Sequence, residues 1–272
     1  MALINLNGKN ALVTGGANGI GKGIAIVLAA QGANVVVSDV DLESAQLVAS
    51  EIRKSGNRSN SIFLDVTSKD SAQSVASDLI DRLGTIDILV NNAGVVGADG
   101  WWTRRIPSDD DWKTVIEINL MGVVNVSQAV ETDMKNRKKG KIINIASIAA
   151  RQGNTGIPHY NASKAAVVSW TQSHALQLAP YQVNVNAICP GLLWTPLFEH
   201  LIDRPPFIDF DHAHFEGLTG REKFEKSVEV SIPMKKEQTP EDIGKLAAFL
   251  ASDDAHNITG QAINVSGGLR MN

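Results

Sequence analysis

The chain has one cysteine, Cys189, so no intramolecular disulfide can form. It lies in the stretch Val-Asn-Val-Asn-Ala-Ile-Cys and reads as a buried, inert thiol rather than a nucleophile. Long apolar runs are also missing. No segment approaches the ~20 apolar residues that span a bilayer, and the first residues carry no signal-peptide core or cleavage signature. Nor is there an excess of positive charge. A net charge of −4 gives no electrostatic case for nucleic acid or an anionic membrane as partner. There is no internal repeat and no low-complexity tract. A soluble protein, with the cytoplasm as its expected location, is what these absences leave.

What is present fits one α/β domain over residues 1–272. The chain is long enough to bury a full core, with 43% apolar and 20% charged residues. Short β-branched runs alternate with amphipathic stretches, which predicts a parallel sheet covered by helices on both faces. Strands are expected at 10–14, 34–38, 61–64, 86–90, 141–146, 183–188 and 261–265. Helices are expected at 20–31, 42–55, 69–83, 109–136 and 240–252. Ser108, followed by three aspartates, caps the 109–136 helix, and Thr239-Pro240 starts the last one. The basic run Arg137-Lys138-Lys139, with Lys141 after Gly140, reads as the positive end of the 109–136 helix. Residues 191–238 form a long irregular stretch, and about 192–238 is a candidate lid.

The first strand ends in Thr14-Gly15-Gly16-Ala17-Asn18-Gly19-Ile20-Gly21 and passes into a helix. Glycines at such a turn let the backbone bend and approach a pyrophosphate, whose charge the helix N-terminus stabilises. The spacing is G-x-x-x-G-x-G, not the general G-x-G-x-x-G. Asp39 ends the second strand, where a carboxylate accepts hydrogen bonds from the ribose hydroxyls of NAD and repels the 2′-phosphate of NADP. No arginine or lysine stands at Gly16, Ala17, Asn18 or Val40 to grip that phosphate, so NAD is the expected cofactor. Asp65-Val66 and Asn91-Asn92-Ala93-Gly94 close the third and fourth strands, placing them on the same crevice.

Ser147 follows the fifth strand, and Tyr160 and Lys164 share one helix face at i, i+4. A phenol needs a nearby cation to act as a base near neutrality. By itself the Tyr-x-x-x-Lys spacing is common by chance. The ordered set Thr14–Gly21, Asp65, Asn91–Gly94, Asn119, Ser147, Tyr160, Lys164, Pro190-Gly191 and Thr195 resembles the short-chain dehydrogenase/reductase family, in its compact single-domain branch, over about residues 9–268.

The resemblance implies a Rossmann-type doubly wound parallel sheet of about seven strands with a small lid, and hydride transfer between a nicotinamide and a secondary alcohol or ketone. It implies that Tyr160 is the general acid/base, that Lys164 lowers the tyrosine's pKa and binds the nicotinamide ribose, and that Ser147 orients the substrate oxygen. Asn119 would hold a water linking Lys164 to solvent. Gly15, Asn18, Gly19, Ile20, Gly21, Asp39, Asp65, Val66, Asn92, Gly94, Pro190, Gly191, Leu193 and Thr195 would seat the cofactor. A homotetramer packed through the two long helices and the C-terminal segment is implied as well, with no metal.

Substrate identity would be written in three stretches. One holds Trp101, Trp102, Arg104 and Arg105. A second holds Arg151, Gln152, Asn154 and His159, and the lid holds Trp194 and Phe198. Ser147, Arg151, Asn154, His159 and Trp194 are the candidate substrate contacts, and their polarity points to a small polar alcohol, polyol or sugar. Asp209, Asp211, His212 and His214 carry metal-ligating side chains, but they read as solvated lid residues. Two alternatives stand beside this reading. One is a reductase of 3-oxoacyl thioesters, which expects NADP and a basic docking surface. The other is a non-catalytic NAD-binding regulatory subunit, which expects loss of Ser147, Tyr160 or Lys164.

Overall fold

The computed structural model describes residues 4–202 and 217–272. Asp209, Asp211, His212 and His214 lie outside the described residues.

Seven strands build one parallel sheet: β1 Asn10–Thr14, β2 Asn34–Asp39, β3 Ser59–Phe63, β4 Ile88–Asn91, β5 Gly140–Ile145, β6 Val183–Pro190 and β7 Ala262–Val265. The helices are α1 Gly19–Ala30, α2 Leu42–Lys54, α3 Lys69–Leu83, α4 Asp109–Val115, α5 Gly122–Arg137, α6 Pro158–Leu178, α7 Pro196–Ile202, α8 Gly220–Ser231 and α9 Pro240–Ala251. The sheet order is β3-β2-β1-β4-β5-β6-β7, every neighbouring pair being parallel.

Alternation along the strands divides the core into two layers. Val13, Val35, Val37, Val90 and Ile143 point to the layer of Ile24, Leu28, Val48 and Ile243 from α1, α2 and α9. Leu12, Val36, Leu89, Ile142 and Val185 point the other way, onto Leu79, Val126, Val130, Met134 and Leu178 from α3, α5 and α6. The doubly wound Rossmann-type arrangement follows. Because β1 pairs with both β2 and β4, the chain reverses direction across the sheet there. A crevice opens at the carboxyl ends of those strands, the place where open α/β sheets bind ligands.

Three elements differ from the sequence expectation. First, β3 begins at Ser59, because the Ser59 hydroxyl donates to Val35 O (2.8 Å) and Arg53 to Ser59 O (2.9 Å). A polar edge-strand start gives no alternation to read. Second, the expected 109–136 helix contains a π-helical turn over Ile116–Met121 between α4 and α5. Such wide turns mark functional places in helices. Third, the stretch expected to be irregular contains α7 and α8, the latter held by a Thr219–Glu222 capping box. The Ser108–Asp111 and Thr239–Asp242 capping boxes both form. No described helix is long and apolar enough to cross a membrane.

Candidate active site

A cleft of about 410 Å³ lies over the carboxyl ends of β1, β2, β4, β5 and β6. Its floor is the turn from β1 into α1. Gly15 (φ 60°) and Gly19 (φ 51°) take left-handed conformations that disfavour any side chain. A methyl group on Gly21 would collide with Gly15 O and Asn92 Nδ2, and one on Gly15 would stand 2.7 Å from Ala93 Cα. Asn92 fixes this turn from the neighbouring strand, its Nδ2 donating to Thr14 O (3.0 Å) and Gly15 O (2.8 Å). The result is a backbone cradle at the start of a helix, open to the cleft at Gly15, Asn18, Gly19 and Ile20. An anionic dinucleotide fits the chemistry of such a cradle.

Asp39 lies at one side of the cradle. Its Oδ2 accepts from Ala17 N (3.1 Å) and its Oδ1 from Asp41 N (3.1 Å), which holds the carboxylate against the glycine turn. Asp65 accepts from the Thr67 amide (2.9 Å) and hydroxyl (2.7 Å) and, with the buried Val66, forms the adjoining wall. Gly94 sits where a Cβ would stand 3.2 Å from Asn119 Oδ1 and 3.3 Å from Lys164 Nζ. Pro190, Gly191, Leu193 and Thr195 complete the opposite wall. Among the described lining residues, Lys164 is the only lysine, and there is no arginine.

Ser147, Tyr160 and Lys164 meet in this cleft. Ser147 leaves the end of β5 in an extended conformation, and its hydroxyl accepts from Ala149 N (3.1 Å). Lys164 is buried, its Nζ donating to Ile145 O (2.9 Å) and standing 5.7 Å from the centre of the Tyr160 ring. Burial pushes the Tyr160 phenol up to about 12, against the opposing hydrogen bond with Ser147, and pushes Lys164 down to about 8. The sequence expectation was a lowered tyrosine. Loss of water around the phenol outweighs an ammonium that is directed at a carbonyl.

Asn119 sits in the π-helical turn, fully buried. Its side chain clamps Val95, accepting from the amide (2.8 Å) and donating to the carbonyl (2.9 Å), and also donates to Ser163 Oγ (3.1 Å). The amide group thus joins α6 to the loop after β4, and it is occupied by protein partners.

Four expected substrate side chains are not brought to the cleft. The Arg151 guanidinium donates to Ala262 O (2.8 Å) on β7. Asn154 Oδ1 accepts from Gly156 N (2.7 Å) and shapes the turn before α6. His159 is buried beside Trp112, ring centres 5.8 Å apart. Trp194 packs on Phe224 (5.4 Å) and under Arg221 (5.3 Å) in the apolar cluster of α7 and α8. Cys189 is buried, and burial raises its thiol pKa, in keeping with an inert packing residue.

Sequence reasoning missed two features. Gln238, 6% exposed, accepts from Gly191 N (3.2 Å) and pairs its backbone with Leu193, so it sets the loop after β6. The only sequence signal was its place just before the Thr239 cap. The second is an apolar wall, since Tyr160 and Leu197 back onto a cluster of Val96, Trp101, Ile157 and Leu201.

Comparison with known proteins agrees with this geometry. Residues 15–270 match the family model described as Enoyl-(Acyl carrier protein) reductase. A galactitol 2-dehydrogenase of Agrobacterium fabrum is 40% identical over 97% of this chain and 98% of its own length. A 3-oxoacyl-[acyl-carrier-protein] reductase FabG of Thermotoga maritima is 34% identical over 98% of this chain and 99% of its own. Among solved structures, a gluconate 5-dehydrogenase from Burkholderia cenocepacia in complex with NADP and tartrate superposes with a TM-score of 0.84. It is 33% identical, covering 97% of this chain and 96% of that one. The chain belongs to the short-chain dehydrogenase/reductase family of oxidoreductases, which bind a nicotinamide cofactor.

Proposed function

We propose that the protein interconverts a secondary alcohol and its ketone with NAD as cofactor, using Ser147, Tyr160 and Lys164. The observation that carries the cofactor choice is Asp39, held against the glycine turn by two backbone amides in a cleft where Lys164 is the only lysine among the described lining residues. The carboxylate suits ribose hydroxyls, and among the described lining residues there is no arginine or second lysine to neutralise a 2′-phosphate. Gly15, Asn18, Gly19, Ile20, Gly21, Asp65, Val66, Asn92, Gly94, Pro190, Gly191, Leu193 and Thr195 would hold the rest of the dinucleotide.

The bound nicotinamide supplies or accepts the hydride. In ketone reduction the protonated Tyr160 donates to the substrate oxygen, and the phenol's raised pKa keeps that proton in place at neutrality. Ser147 donates a hydrogen bond to the same oxygen as charge develops on it. Lys164 stays largely protonated near pH 7 and stabilises the phenolate left behind. In alcohol oxidation the same groups work in reverse. Since the Asn119 side chain is occupied by Val95 and Ser163, a water held there would have to use the main-chain carbonyl of the π-helical turn.

For the substrate, we propose a small polyol or related polar alcohol, now supported by the galactitol 2-dehydrogenase likeness rather than by Arg151, Asn154, His159 or Trp194. A second reading, reduction of a 3-oxoacyl thioester, gains from the apolar wall behind Tyr160 and from the FabG likeness. Initial rates with NAD and NADP over a panel of polyols, sugar acids, simple secondary alcohols and 3-oxoacyl thioesters separate the two. Turnover of a polyol with NAD supports the first reading. Thioester reduction with NADPH, and no polyol oxidation, replaces it with the second. The proposal includes a homotetramer, supported by Met121, Leu176 and Tyr181, which leave apolar surface exposed on and beside α5 and α6. Sedimentation equilibrium tests it.

A further inference from the structure

A second pocket, of about 190 Å³, lies at the opposite end of the sheet, beneath the amino ends of β1, β4, β5 and β6. β5 separates it from the catalytic cleft by about 20 Å at 3.3 Å per residue. Lys9, Lys139 and Lys141 converge in it. All three line its wall, and like charges gathered in one pocket repel one another unless a counter-charge joins them. Lys141 is only 9% exposed, and its Nζ donates to Asn184 Oδ1 (2.8 Å). That one neutral acceptor leaves two of its three donors to be satisfied. Asn184 is itself fixed, its Nδ2 donating to His256 O (2.9 Å) and Ile258 O (3.0 Å).

The nearby carboxylates do not balance this charge. Asp253 approaches Lys9 only to 3.9 Å and is largely exposed. Asp87 is already engaged by Arg137 (3.1 Å), the Thr85 hydroxyl (3.1 Å) and the Asn10 amide (2.9 Å). Burial lowers the proton affinity of Lys141, and Lys9 and Lys139 add to it, outweighing the opposing pull of Asp253. The volume is several times the roughly 30 Å³ share of one water, enough for a tetrahedral oxyanion and its hydrogen-bonding partners.

We propose that this pocket is a phosphate site, in which Lys9, Lys139 and Lys141 bind inorganic phosphate or the phosphate group of a small metabolite. A dianion between the three ammonium groups removes their mutual repulsion and satisfies the remaining donors of Lys141. It is a site separate from the pyrophosphate cradle at Gly15–Gly21, and it does not depend on which alcohol the enzyme oxidises.

The test is thermal unfolding of the full chain, with saturating reduced nicotinamide cofactor present so that the cradle is filled. Sodium phosphate is titrated against sodium chloride at matched ionic strength and pH 7, with glucose 6-phosphate as a parallel arm. At ten times the half-saturating concentration, Tm should rise by about 3 °C over the chloride control. The double variant Lys9→Gln/Lys139→Gln, which changes one half-exposed and one exposed side chain, should need at least about tenfold more phosphate for the same shift. The single variant Lys139→Gln should fall between them. A lower half-saturating concentration for glucose 6-phosphate assigns the site to a phosphorylated metabolite, and an equal or higher one to inorganic phosphate. Equal Tm in phosphate and chloride, or an undiminished phosphate shift in the variants, overturns the proposal.

Discussion

Replacing Asp39 changes the cofactor preference by an amount that can be worked out from its surroundings. The carboxylate is half-buried and tethered by the Ala17 and Asp41 amides at 3.1 Å each, so it cannot swing away from an added 2′-phosphate. Two unit charges ~4 Å apart repel by about 1 kcal/mol in water and about 4 kcal/mol at an effective dielectric of 20. A residue on the rim of the cleft lies between these limits, so about 2 kcal/mol is a reasonable figure. Loss of a charged acceptor for the NAD ribose adds about 1.5 kcal/mol, the lower end for such a bond because the site is partly exposed. The ratio of kcat/KM with NAD to kcat/KM with NADP should therefore fall by about 3.5 kcal/mol, or a few hundredfold, in Asp39→Ala. Asp39→Asn keeps an acceptor and removes only the charge, so about thirtyfold is expected there. Raising ionic strength should shrink the NADP penalty of the parent enzyme. The assay is the initial rate of reduced-nicotinamide formation with one alcohol at fixed concentration. A parent enzyme equally efficient with both cofactors, or an Asp39→Asn ratio equal to that of the parent, refutes the reasoning.

Three further outcomes are expected. Tyr160→Phe keeps the ring and removes the proton donor, so kcat should drop by about 10²–10⁴ while cofactor affinity, read by fluorescence titration, stays within severalfold. Lys164→Met should be inactive yet more stable at pH 7. Holding Lys164 charged with its pKa at about 8 rather than 10.5 opposes folding by on the order of 3 kcal/mol, less about 1 kcal/mol for the lost bond to Ile145 O. The unfolded chain keeps this proton longer as pH rises, so the penalty is full below about pH 8 and fades towards 10.5. Urea titrations at pH 7 and pH 9.5 should therefore show the stability gain shrinking, and a gain that is constant or absent would contradict the sign. Asp111→Asn breaks the 1% exposed carboxylate away from Arg104 (2.7 Å) and from the Ser108 cap, with an expected loss of about 3 kcal/mol in the same titration. Arg104 and the Ser108 bonds hold the Asp111 carboxyl well below the usual carboxylate range despite its burial. Its contribution is therefore present above about pH 4 and is lost on acidification below that.

The parts of the fold and site that were legible in the sequence are those whose physics is local. β1, its glycine turn and α1 are contiguous, so the left-handed φ values at Gly15 and Gly19 and the cradle they form follow from a few adjacent residues. Asp39 was legible because the end of β2 fixes where its side chain must start. Tyr160 and Lys164 share a face because α6 repeats every 3.6 residues. The same periodicity turns His159 about 100° away from Tyr160, into Trp112, which could have been anticipated.

What the tertiary structure alone decided depends on segments far apart in the chain. Arg151 was polar and near the site in sequence, yet β7 supplies the carbonyl that takes its guanidinium. Gln238 shapes the Gly191 loop across 47 residues of separation, and Asn119 joins the β4 loop to α6 through a π-helical turn that no hydrophobic period reveals. Lys139 and Lys141 read as a helix end, and Lys9 joins them only because the sheet order places β1 beside β4 and β4 beside β5. The sequence by itself determined the glycine turn and the shared face of Tyr160 and Lys164, because these rest on residues within a turn or two of one another, and the ordered motifs from Thr14 to Thr195 pointed to the reaction class. The apolar backing of Tyr160 and the pocket beneath the sheet were decided by packing, because burial and charge proximity belong to the folded arrangement and not to any one segment.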